Sequence, residues 1–343
     1  MQKKKATQKL EQLKTVLAGH KTMLIVIQDN PDPDSIAAAV ALRKLANTLA
    51  EVQCSIAHNG VIGRGENRAL VKYLGLNLRS LDQIDLTAYE LFATVDTQPG
   101  TGNNSLPEHI EPDIVIDHHR CRLRTRLCRF TDVRCRYGAT ATILYEYFKA
   151  AGIKPEAPMA TAMLYAIRSD TQDLGRDTSR ADIKALTELF TIANLRMLSQ
   201  IQRGKVQRDY FQMLSDVLRQ SMVYGNAIIA SLGSIDNADM IAEAADLLLR
   251  DDLTNWVMVY GFAQDKLVIS LRTEQEQLGA DKVIRQIVAR KGSGGGHPSY
   301  AGGQIGVKGM SPRQIEHLEH LIAVRFLHAV APSVDAPIPL IRS

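Results

Sequence analysis

With four cysteines, one tryptophan, no CxxC pair and no apolar run of the roughly 18 residues that a membrane span needs, this 343-residue chain is defined first by what it lacks. Cys121, Cys128 and Cys135 have six residues between neighbours and Cys54 stands alone, so a disulfide scaffold and a zinc ribbon give way to reduced thiols. The start Met1-Gln2-Lys3-Lys4-Lys5 is basic but runs into polar Gln and Thr rather than a secretory apolar core, and the expected location is the cytoplasm. Aromatic residues make up 5%, too few for the stacking platforms of a processive single-strand nuclease. Net charge is only +4, a basic excess that permits an anionic substrate without demanding one. Hydrophobic residues at 45% and charged ones at 23% are those of a globular protein long enough for two domains of roughly 150 residues.

What the chain does have is a recurring pattern in its first half, an apolar segment that stops at an acid. Ile114-Val115-Ile116 runs into Asp117-His118-His119, a short buried strand ending in a carboxylate and two imidazoles. Met23 to Ile27 is a second strand, followed by Gln28-Asp29-Asn30-Pro31-Asp32-Pro33-Asp34. Two prolines in four residues make that segment a rigid loop, with Ser35 expected to cap an alanine-rich helix over 36–46. Leu91 to Val95 ends in Asp96, and the apolar helix 159–167 delivers Asp170. In an open α/β sheet, ligands gather at the carboxyl ends of parallel strands. Several carboxylates buried together without cations would repel one another at a cost of several kcal/mol, roughly, and a pair of divalent ions removes that cost. Oxygen donors with one or two imidazoles suit manganese ahead of magnesium, and either ahead of zinc.

Residues 22–35, 91–98, 114–119 and 165–173 resemble the four motifs of the DHH phosphoesterase superfamily. The stretch Gly294-Gly295-Gly296-His297-Pro298-Ser299-Tyr300-Ala301-Gly302-Gly303 is similar to the glycine-rich signature of the DHH-associated C-terminal domain. The resemblance implies a mostly parallel α/β sheet in a metal-binding domain, with a second, smaller mixed α/β domain. It implies that Asp96 bridges two ions, that Asp32 serves the first, and that Asp34, His118 and Asp170 hold the second. It further implies that His119 faces the substrate phosphate and that Asp117 orients the histidines. The first motif of the family begins with a histidine ligand, and here that position is Gln28, a weaker neutral donor for a transition metal.

Beyond the histidines, Arg120, Arg122, Arg124 and Arg126 alternate, as on one face of an extended strand. Such a row suits either a charge-blunted sheet edge or a polyphosphate contact, and Arg120 is the candidate for substrate. Helical patterns cover 180–190 and 194–221 without an evident break, the latter read as a connector. The expected organisation is a catalytic domain over 1–204, the connector over 205–221, a substrate-binding domain over 222–331, and an extended tail over 332–343. In the second domain, strands at 227–232, 256–262, 266–272 and 304–307 alternate with helices at 240–249, 281–290 and 312–328. Residues 292–303 are too glycine-rich for a packed element and read as a phosphate-binding loop of Gly294, Gly295, Gly296 and His297. The resemblance adds Arg272 as a second phosphate grip.

The functional expectation is a two-metal phosphoesterase in a cleft between domains, using metal-activated water on short oligonucleotides or nucleoside 3',5'-bisphosphates. A phosphodiesterase acting on cyclic or linear dinucleotides and a non-catalytic nucleotide sensor stay open, as does a homodimer.

Overall fold

The computed structural model describes residues 2–331 and 336–341, with side chains from residue 5 onward. The chain divides between Lys205 and Val206 into two compact units, each with its own sheet.

The first unit is built on six parallel strands: β1 (Thr22–Val26), β2 (Gln53–His58), β3 (Arg79–Ser80), β4 (Leu91–Val95), β5 (Ile114–Asp117) and β6 (Phe130–Val133). Their order is β3-β2-β1-β4-β5-β6. The order reverses between β1 and β4, so the chain leaves these neighbouring strands in opposite directions, the switch point at whose carboxyl ends open α/β sheets bind ligands. Among the described residues seven α-helices accompany the sheet: α1 (Gln2–Leu17), α2 (Pro33–Ala50), α3 (Gly65–Tyr73), α4 (Thr140–Ala150), α5 (Ala157–Asp170), α6 (Arg180–Phe190) and α7 (Leu195–Gln202). Alternation along β1 explains the layering. Met23 and Ile25 join the large core with α1, α2, α4 and α5, while Leu24 and Val26 join a small cluster with Leu81 and Ile84 on the opposite face. Ala37, Ala38, Ala39 and Ala41 are buried, and their small side chains let α2 lie close to α4, α5 and the sheet.

The prolines after β1 do not hold off the helix. Pro33 occupies its first turn, where a missing N–H costs nothing, and the cap is Asp32, whose Oδ1 accepts the Ser35 N–H at 2.9 Å; Ser35 lies inside the helix. The arginine alternation is not a strand either. Residues 120–123 are irregular, Arg124–Leu127 is a 3-10 turn, and Leu123 and Leu127 are exposed. Tertiary hydrogen bonds decide this conformation: the buried Gln98 Oε1 accepts the Arg122 N–H and the Thr125 hydroxyl, each at 2.8 Å.

The second unit contains α8 (Arg208–Gln220), β7 (Met222–Tyr224), β8 (Ala227–Ser234), α9 (Asp239–Leu248), β9 (Trp256–Ala263), β10 (Lys266–Thr273), α10 (Ala280–Val288), β11 (Gly292–Gly296), β12 (Tyr300–Gly306), α11 (Pro312–Val330) and β13 (Ile338–Pro339). The sheet order is β11-β12-β10-β9-β8-β7-β13, with β8 and β9 parallel and the other pairs antiparallel. One face packs Trp256, Met258 and Ile269 against Ile284, Ile322 and Phe326; the other packs Ile228 and Val257 against Val217, Ile241 and Leu248.

Three expectations change here. The pattern over 194–221 is interrupted at residues 203–207, so α7 and α8 are separate helices. The glycine-rich stretch is a hairpin arm, β11 paired with β12, rather than a loop. A Cβ at Gly303 would lie 2.8 Å from Ile284 Cδ1 and 2.9 Å from Val288 Cγ1, so glycine is what lets α10 sit on the sheet there. Within the tail, Ile338 and Pro339 pair with Val223 and Met222, while residues 332–335 and 342–343 lie outside the described residues. No helix of the described residues is long and apolar enough to cross a membrane.

Candidate metal centre

The segments after β1, β4 and β5 and the C-terminal end of α5 bring the acids together. Donor atoms of Asp34, Asp96, His118 and Asp170 all lie within 4.8 Å of one another, and those of Asp96, His118 and His119 form an overlapping group. Asp34 comes from the first turn of α2. Asp96 follows β4 at φ 57°, a left-handed conformation that aspartate tolerates better than most residues, and it is buried. Asp170 closes α5, and the next turn places Gln172, Asp173 and Leu174 at φ 46°, 55° and 72°. Backbone held in that region costs about 1–3 kcal/mol per non-glycine residue, and such strain collects at functional sites.

His118 is held by one nitrogen and presents the other. Its Nδ1 lies 3.0 Å from the Tyr137 carbonyl oxygen, an acceptor only, so Nδ1 carries the proton of that bond. Its Nε2 is buried without a hydrogen-bond partner, 3.3 Å from Asp170 Oδ2 and 3.6 Å from Asp96 Oδ1. A buried imidazole nitrogen facing carboxylate oxygens fits a divalent cation, because the ion would satisfy the orphaned atom and neutralise the acids together. His119 differs: its backbone N–H and Nδ1 both reach Asp117 Oδ1, at 3.1 and 2.8 Å, and its side chain is 40% exposed. Asp117 therefore orients His119, while the Tyr137 carbonyl orients His118.

Electrostatics carry the strain of the acid cluster. Burial, then repulsion from Asp170, pushes Asp32 up to about 6. The same two causes hold Asp34 well above the ordinary carboxylate value, and for Asp96 burial is joined by the charges of Asp32, Asp34 and Asp170. Burial would depress His118, but Asp170, Asp34 and Asp117 outweigh it and raise the imidazole to about 10. Burial would raise Asp117, yet the His119 hydrogen bond and charge, with His118 and Gln98, bring it below the ordinary value.

The remaining candidates are distributed as follows. Gln28 is half-buried and its Nε2 donates to Asp96 Oδ2 at 2.6 Å. Asp32 is spent on the α2 cap and lies outside both donor groups, although its charge reaches Asp96 and Asp170. Arg120 is exposed, with its carbonyl oxygen accepting from Gln98 Nε2 at 3.1 Å. Arg272 is on β10 in the second unit, bound to Asp246 and to the Ser270 hydroxyl. His297 stacks on Tyr300 at 4.7 Å beyond Gly294, Gly295 and Gly296 of β11.

Residues that the acid pattern did not single out do much of the positioning. Gln98 is buried and donates to Asp117 Oδ2 at 2.5 Å. The segment 137–141 touches three members of the cluster: the Tyr137 carbonyl meets His118, the Thr140 hydroxyl donates to Asp96 Oδ1 at 3.0 Å, and the N–H groups of Thr140 and Ala141 donate to Asp34 at 2.6 and 2.9 Å. Asp182, fully buried, fastens that segment by accepting the Gly138 N–H at 2.9 Å and the Thr142 hydroxyl at 2.6 Å. The sequence signal available for Asp182 is its place three residues after Ser179, a capping box that marks a helix start and not a site.

Two family models match the chain, the DHH family N-terminal domain over residues 22–167 and the DHHA1 domain over 225–323. The chain belongs to the DHH phosphoesterase superfamily. An uncharacterised protein of Methanocaldococcus jannaschii is 35% identical over 304 residues, 88% of this chain and 61% of that protein, so the chain spans about three fifths of this relative's length. A probable manganese-dependent inorganic pyrophosphatase of Staphylococcus saprophyticus is 22% identical over 291 residues, covering 81% of this chain and 87% of its own. Among solved structures, an exopolyphosphatase-related protein from Bacteroides fragilis superimposes with a TM-score of 0.71 at 14% identity, over 94% of this DHH chain and 97% of its own. RecJ of Thermus thermophilus in complex with Mn2+ gives 0.54 at 17% identity, over 94% and 55%. These two likenesses bear on the fold, an α/β architecture with one all-parallel sheet and one mixed sheet.

Proposed function

We propose that this DHH protein is a divalent-metal-dependent phosphoesterase that hydrolyses short oligonucleotides or nucleoside 3',5'-bisphosphates. The observation that carries the reading is the buried Nε2 of His118, without a hydrogen-bond partner, among the converging donor atoms of Asp34, Asp96 and Asp170. Asp34, Asp96 and Asp170 with His118 are the proposed ligands of the principal ion, and Gln28 and Asp32 are proposed to serve a second one. Manganese is the favoured ion, in keeping with the staphylococcal relative, a probable manganese-dependent pyrophosphatase; magnesium is the alternative. When bound, such ions polarise phosphoryl oxygens and lower the pKa of a water. The protein's own part is positional: Asp117 engages His119 through its backbone N–H and its Nδ1 and so sets the orientation of the ring beside Asp96. Arg120 is proposed as an added phosphate contact. Arg272, His297 and the β11 glycines are proposed as a separate phosphate-contacting group on the second unit, and the cytoplasm is the proposed compartment.

The test is a hydrolysis panel in Mn2+ or Mg2+ containing 5'-phosphorylated dinucleotides, 3'-phosphoadenosine 5'-phosphate, cyclic dinucleotides and inorganic pyrophosphate. Release of mononucleotide or phosphate from the first two, lost in Asp170→Ala, is the expected result. Preference for cyclic dinucleotides or pyrophosphate would reassign the substrate. Binding without turnover of any of them would favour the sensor reading, for which Gln28 in the first motif is the supporting feature.

A further inference from the structure

The carboxylate of Asp96 is divided between two environments. Oδ1 faces the donor cluster, 3.6 Å from His118 Nε2, and accepts the Thr140 hydroxyl at 3.0 Å. Oδ2 is covered by an N–H of Gln28 at 2.6 Å, with the Asp96 carbonyl oxygen 3.4 Å from the same nitrogen. The neighbouring acid Asp32 already spends Oδ1 on the Ser35 N–H and is absent from both groups of converging donors. One side of Asp96 is thus ready for an ion, and the other is closed by a neutral hydrogen-bond donor.

We infer that Gln28 gates a second ion position: the first divalent ion fills Asp34, Asp96, His118 and Asp170, and a second binds only when the Gln28 amide turns its oxygen toward Asp96. The inference rests on the metal reading proposed above. Two effects weaken the second step. Turning the amide breaks a charge-assisted hydrogen bond, which lowers affinity by about ten- to hundredfold. An amide oxygen is then a poorer ligand than imidazole for a transition metal. The two positions therefore fill in order, and the second needs an ion concentration roughly a hundredfold higher.

The experiment counts Mn2+ retained per full-length chain after gel filtration, by elemental analysis, and follows Mn2+ titrations by electron paramagnetic resonance. Wild type is expected to retain one ion with an uncoupled spectrum, and Gln28→His two with an exchange-coupled spectrum. Gln28→Leu, which removes both donor and ligand, is expected to retain one. Two ions retained by wild type, or one by a folded Gln28→His, would overturn the gate. If Gln28→His does not fold, the wild-type count decides. No ion retained by any folded variant would overturn the metal reading itself, a failure distinct from that of the gate.

Discussion

His118 Nδ1 and the Tyr137 carbonyl oxygen are 3.0 Å apart, and this contact leaves Nε2 as the free lone pair of the imidazole once the ring is neutral. Around it, the raised carboxyls and the imidazole at about 10 describe a centre that holds protons a metal must displace.

Metal affinity should therefore climb with pH. His118 is protonated below about 10 and Asp32 below about 6 in the metal-free protein, so Mn2+ binding should release protons at pH 7 and tighten between pH 6 and 8. Stability runs the other way without metal. A raised folded-state pKa contributes stability that is complete below the unfolded value and lost as pH rises through the folded one, for these carboxyls and for His118 alike. The Tm increment produced by saturating Mn2+ should accordingly be larger at pH 8 than at pH 6. Calorimetry in buffers of different ionisation enthalpy and thermal scans at both pH values check this, and an increment that shrinks with pH contradicts it.

Asp182 makes no contact with the donors, yet it fastens Gly138 and Thr142 on either side of the residues that orient them. Asp182→Asn should weaken Mn2+ binding by roughly 10- to 100-fold, the usual effect of losing support behind a ligand. Titration calorimetry measures it. Unchanged affinity in a folded variant would show that segment 137–141 needs no such anchor.

Arg134 is buried and binds Asp132 through Nε at 3.0 Å and Nη2 at 2.7 Å, while Nη1 reaches Glu146 at 2.5 Å and the Tyr137 hydroxyl at 3.1 Å. Tyr147 adds its hydroxyl to Asp132 at 2.6 Å. Arg134→Met leaves two acids without their cation and should cost about 3–5 kcal/mol in urea denaturation. A loss below 1 kcal/mol, roughly the worth of an exposed pair, would mean the network is solvated.

Gly303→Ala drives a methyl group into Ile284 and Val288. Overpacking of this kind costs about 1–3 kcal/mol, and Ile284→Ala in the same chain should recover part of it. Denaturant midpoints of the two single variants and the double variant give the coupling directly.

Legibility in sequence followed physical range. Strand 91–95 and helix 180–190 emerge with their observed limits, since apolar runs and helical periodicity are local. The acids at strand ends were equally visible, because a parallel sheet gathers them at one edge. The Arg120 to Arg126 alternation misled, because period two in charged residues buries nothing and Gln98, 24 positions before Arg122, dictates the backbone there. The glycines of β11 and β12 misled too, since nothing in their local pattern reports that α10 lies across them. Asp182 acts on Gly138 over a separation of 44 residues, beyond any motif window.

The most direct measurement is anomalous diffraction from crystals soaked in manganese. The account predicts a peak bonded to His118 Nε2 and to carboxylate oxygens of Asp34, Asp96 and Asp170. Absence of density among these four, or manganese bound only elsewhere, would contradict it.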